Sequence, residues 1–304
     1  MKFLLFTLTL ALAATLSAAD KKIITMIAGK PSHGPGQHEH NAGILLLKKC
    51  LEQGAMDQVD VRVHLNGAWP AAEELAEAST VVIYADGGPR HPALQGDRLQ
   101  QLDKEMKRGC GFLTLHYAVE PTIELGGKEF LDWMGGCFEI HWSVNPHWDA
   151  SFTEFPAHPI ANGVKPFMTN DEWYFYMRFR KGMQGVTPIL SAIAPDSTME
   201  RPDGHHSGNP TVRESVNNKE KQHVAWAAEN EGGGRGFGFT GGHYHQSWSN
   251  NEQRKLVLNA ILWTAKADVP AQGVESTVTE AEMTANLDLK PGQGLPEKEK
   301  KAKK

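Results

Sequence analysis

The stretch GFLTLHYAV, residues 111–119, decides the fold. It is apolar almost without a break until a histidine and a tyrosine near its end. A strand with one wet face alternates polar and apolar residues, whereas an unbroken run suits a strand buried on both faces of a parallel sheet. Upstream, residues 95–108 carry Leu99, Leu102 and Met106 at spacings of three and four, an amphipathic helix stopped by Gly109. Earlier still come three more strand-like runs: KIITMIAG (22–29), VDVRVHL (59–65) and STVVIYAD (79–86), the last running into GGPRH. Between the first two, residues 39–53 read as a helix with Ala42, Leu45, Leu46 and Leu47 around its buried side and Gly54 placed to cap its end. The alternation predicts an α/β domain, a three-layer sandwich with a mostly parallel sheet and helices on both faces. In such sheets ligands bind beyond the carboxyl ends of the strands.

The 304 residues begin with MKFLLFTLTLALAATLSAAD. A positive start, a short apolar stretch and a small-residue site read as a signal peptide over 1–19 and a secreted or periplasmic mature chain. The apolar run falls short of the about 20 residues a membrane span needs, and no later segment is apolar enough. The net charge of −5, with basic residues clustered only in the tail, suggests neither nucleic acid nor an anionic membrane as partner. Cys50, Cys110 and Cys137 make no disulfide framework and read as small buried hydrophobes.

From residue 135 the rhythm changes to short aromatic and polar segments: CFEIHWSVNPHWDASF, HPIANGV and DEWYFYMRF. VTPILSAIA (186–194), HVAWAAE and GRGFGFTGG read as further strands, and residues 250–266 as the last helix. Residues 195–221 are polar and turn-rich and read as a surface excursion. The domain is expected to span 20–266. Residues 267–304 form a C-terminal extension whose end, EKEKKAKK, has too little apolar content to pack and reads as a mobile tail.

The polar chemistry gathers at strand exits. The first strand runs into GKPSHGPGQHEH, with His33, His38, Glu39 and His40, and without the spacing of a phosphate loop. The fourth runs into His116 and Tyr117, where a hydrolase or amidotransferase elbow would hold serine or cysteine. Cys110 lies at that strand's opposite end, so a covalent acyl-enzyme is disfavoured. In TNDEWYFYMRF, Asp171 and Glu172 point to opposite faces of an extended segment, which leaves Glu172 and Tyr174 as the pair sharing a face. In TGGHYHQSWSNNEQRKL (240–256), Ser249 and Glu252 fit a capping box, whereas His243 falls at the end of a strand. His33, His38, His116, His141 and His243 all sit on candidate site loops. Imidazole suits divalent transition metals, so a divalent metal is possible, although no compact His-x-x-x-His spacing supports it.

SHG, GGP, RGCGFLTLHYA, GGCFEIH, HPI, FMTNDEWYFYMRF, VAW, GRGFGFTGGHYHQSW and LVLNAILW, in that order, resemble the ThuA-like (trehalose utilisation) family over residues 22–266. The resemblance implies a class I glutamine amidotransferase-like (flavodoxin-like) fold without the amidotransferase cysteine, and action on oxidised disaccharides or related glycosides. It carries over to His33, His116, Asp171, Glu172, Tyr174, Arg235 and His243. The resulting expectation is an extracytoplasmic enzyme doing lyase, hydrolase or isomerase chemistry on a small-molecule sugar. In it Glu172 and His243 are the acid/base pair and His116 polarises an oxygen. His33, Tyr117, His141, Asp171, Tyr174, Arg235 and Trp248 line the pocket. The alternative is a non-catalytic carbohydrate-binding module with a tryptophan platform of Trp142, Trp148 and Trp248.

Overall fold

The computed structural model describes residues 20–290. The predicted leader (1–19) and the lysine-rich end of the tail lie outside those residues. Strand and helix first alternate as β1 (Lys22–Ala28), α1 (His40–Ala55), β2 (Val59–His64), α2 (Ala72–Glu77), β3 (Thr80–Tyr84), α3 (Arg98–Lys107) and β4 (Gly111–Leu115). Then come α4 (Gly127–Met134) and four strands outside the main sheet: β5 (Gly136–Cys137), β6 (Trp148–Phe152), β7 (Phe167–Asp171) and β8 (Arg178–Phe179). β9 (Val186–Ile193), α5 (Pro210–Asn217), β10 (Lys221–Glu229), β11 (Arg235–Phe239), α6 (Asn251–Thr264) and α7 (Glu280–Thr284) follow.

The main sheet has the order β2-β1-β3-β4-β11-β10-β9. Its first five strands are parallel, and β10 runs antiparallel to both neighbours. Every residue of β3 and β4 is buried. Alternation along the strands sorts the core into two layers. Ile24, Met26, Val82 and Leu113 pack with Leu47 of α1 and Leu258 of α6. Ile27, Val81, Ile83 and Phe112 pack with Leu99 and Leu102 of α3 and with Phe130 of α4. No helix among the described residues is long and apolar enough to cross a membrane.

Several boundaries differ from the sequence reading, for local reasons. Gly54 lies inside α1 rather than past its end, and its lack of a side chain serves packing, since a Cβ there would sit 2.6 Å from the Glu275 carbonyl oxygen. It is a point of close approach. Helix α6 is capped by Asn250, whose side chain accepts from the N–H groups of Glu252 and Gln253, and not by Ser249. Glu252 instead accepts from the backbone N–H of Lys165 at 2.8 Å. The described part of the C-terminal extension packs on the domain: Val274 and Met283 are buried, and Ser276 holds the buried Arg254 of α6. The polar stretch 195–221 also has structure of its own, including α5 and the first residue of β10.

The segment after β3 is held by a buried histidine. His91 Nδ1 accepts from the Ala93 N–H at 3.0 Å while Nε2 donates to the Ala118 carbonyl at 3.1 Å. Burial pushes its pKa down from 6.5 to about 4. The unfolded chain therefore takes up this proton first as pH falls. His91 destabilises the fold progressively between pH 6.5 and about 4, and a difference of that size is worth roughly 3 kcal/mol. Urea denaturation at about pH 7 and about pH 4.5 should show a smaller acid loss in His91→Gln than in wild type. Equal losses in the two proteins would refute a neutral buried ring.

Candidate functional site

Four chain segments meet beyond the carboxyl ends of the central strands. After β4 the chain turns directly into a single 3-10 turn, His116–Val119, with His116 at φ 56°. A residue with a side chain rarely adopts that conformation, and the strain sits where related α/β architectures hold an exposed nucleophile. The loop after β1 delivers His38, also left-handed at φ 45°, and its backbone N–H donates to the His243 carbonyl at 2.9 Å. The loop after β11 delivers His243, and the end of β7 delivers Asp171 and Glu172.

His38 Nδ1 donates to Asp86 Oδ1 at 2.9 Å, and His116 Nδ1 donates to the Thr240 carbonyl at 2.8 Å. In their neutral forms both rings then present an Nε2 lone pair, and these two atoms lie 3.1 Å apart. His243 Nδ1 is 3.0 Å from His38 Nε2 and 2.9 Å from Glu172 Oε2, and His116 Nε2 is 3.5 Å from that same oxygen. Burial, then the neighbouring histidines, hold His38 far below the usual histidine range. Burial raises the Glu172 pKa, but the hydrogen bonds and positive charge that His116 and His243 supply when protonated outweigh it and hold the carboxyl well below its usual range. The Tyr174 hydroxyl donates to Glu172 Oε2 at 3.3 Å. Burial, then the Glu172 charge, keeps that phenol protonated.

His38, His116, His243 and Glu172 are all buried, and each offers one ligand atom within 4.8 Å of the others. A tetrahedral cation with bonds of about 2.0–2.1 Å spaces its ligands about 3.3–3.4 Å apart, close to the 2.9–3.5 Å of four of the six pairs here, all six lying within 4.8 Å. The outer partners suit such a role as well. Histidine ligands commonly donate their second nitrogen to a carboxylate or carbonyl, as His38 and His116 do.

Asp171 builds the floor of the site. Its buried carboxylate accepts from three backbone N–H groups, those of Gly242 at 2.8 Å, His243 at 2.9 Å and Glu172 at 2.8 Å. Gly242 is at φ 101°, a conformation open to glycine, which lets the loop fold down onto the carboxylate. Asn145 donates to Glu172 Oε1 at 3.0 Å, and His147 Nε2 stands 3.8 Å from that oxygen. Burial lowers the His147 pKa, against the raising influence of Glu172.

Of the residues expected at the site, the fold brings together His116, Glu172, His243 and Tyr174, with Asp171 beneath them. His33 stacks on His38 at a centroid distance of 3.5 Å, and the Tyr117 ring lies 6.2 Å from His38. Three residues are elsewhere. Arg235 is the first residue of β11, at the opposite end of the sheet, where it donates to the Trp263 carbonyl. His141 is exposed and packs edge-on against His205. Trp248 is fully buried behind Tyr84 and Gly242 and lines no surface. With Trp148 buried and the Trp142 ring covered by Arg178 and Tyr176, the expected tryptophan platform does not form.

The sequence reading gave His38 a candidate site loop but no role in the pocket, and left out Asp86, Asn145 and His147 as pocket residues. His38 was visible as one of three histidines in its loop, but nothing local says which ring turns inward. His245 turns away and is buried in its own 3-10 turn. The three cysteines are free and buried, and burial pushes the Cys110 and Cys137 thiols up to about 12. Neither is an activated nucleophile.

A parallel α/β sandwich whose elbow holds histidine in place of serine or cysteine is consistent with the class I glutamine amidotransferase-like architecture without its covalent chemistry. Within that class the chain belongs to the ThuA family, described as trehalose utilisation, whose model matches residues 27–264. Its fold is similar to that of a ThuA-like protein from Bacteroides uniformis, 15% identical with a TM-score of 0.58, covering 83% of this chain and 94% of that one. It is also similar to a ThuA-like protein from Parabacteroides merdae, 14% identical with a TM-score of 0.54, covering 86% and 94%. No match is found among curated proteins.

Asp171 supplies the sharpest structural test of the site. Asp171→Asn turns an amide N–H₂ toward a backbone donor, and an unmet buried N–H costs about 1–3 kcal/mol. Chemical denaturation should show a loss of that order. A variant as stable as wild type would mean that the three N–H groups do not depend on the carboxylate.

Proposed function

We propose that the protein is a carbohydrate-acting enzyme whose proton-transfer chemistry, of the lyase, isomerase or hydrolase kind, is organised at a divalent cation held by His38, His116, His243 and Glu172. The observation that carries this reading is the convergence of imidazole lone pairs and a carboxylate at ligand spacing in a buried site. Electron-rich atoms so close together in a low-dielectric interior call for a positive charge among them. The family's tie to trehalose utilisation supports a sugar, and a keto-disaccharide or related glycoside suits the chemistry. The leader-like residues 1–19 support action outside the cytoplasm.

A bound divalent cation would polarise a carbonyl or hydroxyl oxygen and acidify the neighbouring C–H or O–H. In this reading Glu172 and His243 serve as ligands rather than as the acid/base pair. His147 is then the group placed to move the proton. It is half exposed at the mouth of the site, within 3.2 Å of the Tyr244 hydroxyl, and its lowered pKa leaves it able to accept a proton near neutral pH. The absence of a tryptophan platform weighs against the binding-module alternative.

Metal analysis of the purified protein should find about one divalent ion per chain, lost in His38→Ala. Asp86→Asn, which keeps the ligands and removes the carboxylate behind His38, should weaken metal affinity about 10–100-fold. Turnover of 3-keto and unmodified disaccharides should stop with chelator and return with added metal. Tight sugar binding without turnover by the metal-loaded protein would instead support the binding module.

A further inference from the structure

We infer that the crevice between the loops after β1 and β3 is an anion-binding subsite, and that the sugar taken by this protein carries a carboxylate or a phosphate group. This rests on the reading of the neighbouring centre as a sugar site. The strand order β2-β1-β3 makes the crevice the sheet's topological switch point, since the chain leaves β1 on one side and β3 lies on the other. Open α/β sheets bind ligands at such a point. Here it holds a cavity of about 420 Å³, and three cations line it: Lys30, Arg90 and Arg98.

One acid lines the same cavity, Asp86, and its Oδ1 already accepts from Ser32 Oγ and His38 Nδ1, both at 2.9 Å. Arg98 is held by the Pro92 carbonyl at 3.2 Å and lies over the Trp69 ring at 4.8 Å, which orients its guanidinium without neutralising it. Among the described residues, no hydrogen bond or ion pair engages the Lys30 ammonium or the Arg90 guanidinium. The loop carrying Arg90 is itself anchored by the buried His91. In a chain of net charge −5, three cations facing one committed carboxylate leave the cavity positive. Guanidinium groups recognise carboxylate and phosphate through paired N–H donors.

The subsite adjoins the centre. Asp86 belongs to both, lining the cavity and orienting His38. Tyr117 neighbours both loops: its ring is 6.2 Å from His38, and a Cβ at Gly88 would lie 3.7 Å from its hydroxyl. A sugar with its anionic group among Lys30, Arg90 and Arg98 would share one wall, Asp86, with the histidine cluster.

Calorimetric titration of chelator-treated protein, in which metal coordination by the ligand is removed, tests this with D-glucuronate, glucose 6-phosphate, inorganic phosphate and glucose. At least one anionic sugar should bind about tenfold or more tightly than glucose, as expected for a charge-assisted contact. Arg90→Ala should abolish that preference while leaving the melting temperature unchanged, since Arg90 gives up no hydrogen bond. Preference for glucuronate assigns a carboxylate, and preference for glucose 6-phosphate a phosphate. Three results would overturn the inference: equal binding of glucose and both anionic sugars, an unaltered preference in Arg90→Ala, or inorganic phosphate binding as tightly as glucose 6-phosphate. Failure of the metal reading would show separately, as turnover indifferent to chelator, and would leave these affinities untouched.

Discussion

Two imidazole nitrogens 3.1 Å apart, with a third imidazole and a carboxylate beside them, set the constraint on which the rest of the structure depends. Such atoms repel in a poorly polarisable interior unless protons or a cation stand among them. The surroundings settle which protons are available. Asp86 and the Thr240 carbonyl engage the outer nitrogens of His38 and His116, and the Tyr174 hydroxyl turns to Glu172. In their neutral forms, His38 and His116 are left with inward nitrogens that donate electron pairs. Under the proposed function, the same hydrogen bonds would orient these rings toward a cation.

Holding that arrangement needs contributions far apart in the chain. His116 comes from a strained turn at the end of β4, His38 from a loop whose left-handed residue is tied by its N–H to His243, and His243 from a loop folded onto Asp171. Further segments close the surroundings. The stretch 195–221 brings His206 onto the buried Glu120 and its backbone onto Asn145, the residue that orients Glu172. The C-terminal stretch brings Lys290 to the carbonyls of Gln37 and His38 and to the buried Glu39. The stretch that read as a surface excursion and the described part of the C-terminal extension thus brace the loops of the site.

Much of the framework was legible because it rests on local rules. The unbroken apolar run of β4 pointed to a doubly covered strand, as observed, and the missing serine or cysteine at its end disfavoured a covalent elbow. The opposite facing of Asp171 and Glu172 followed from strand geometry and appears as two different duties, one on backbone N–H groups and one toward the histidines. Arg235 could have been placed correctly by the same reasoning. It opens its strand, and ligands gather where parallel strands end. Trp248 could not, because a tryptophan in a polar stretch is equally suited to a pocket wall and to a core, and the packing of Tyr84 and Phe239 decided for the core.

By itself the sequence determined the alternation of buried strands and helices, the end of the sheet where chemistry collects, and the residue types delivered there. These follow from periodicity, turn propensity and the connectivity rules of parallel sheets, each acting over a few residues. Only the tertiary structure decided that His38, rather than His33 or His40, joins His116 and His243, that Asp86 stands behind it, and that three cations face one engaged carboxylate across the β1/β3 crevice. Those outcomes depend on the directions of side chains brought together from separations such as the 205 residues between His38 and His243. No local rule of the chain carries that information.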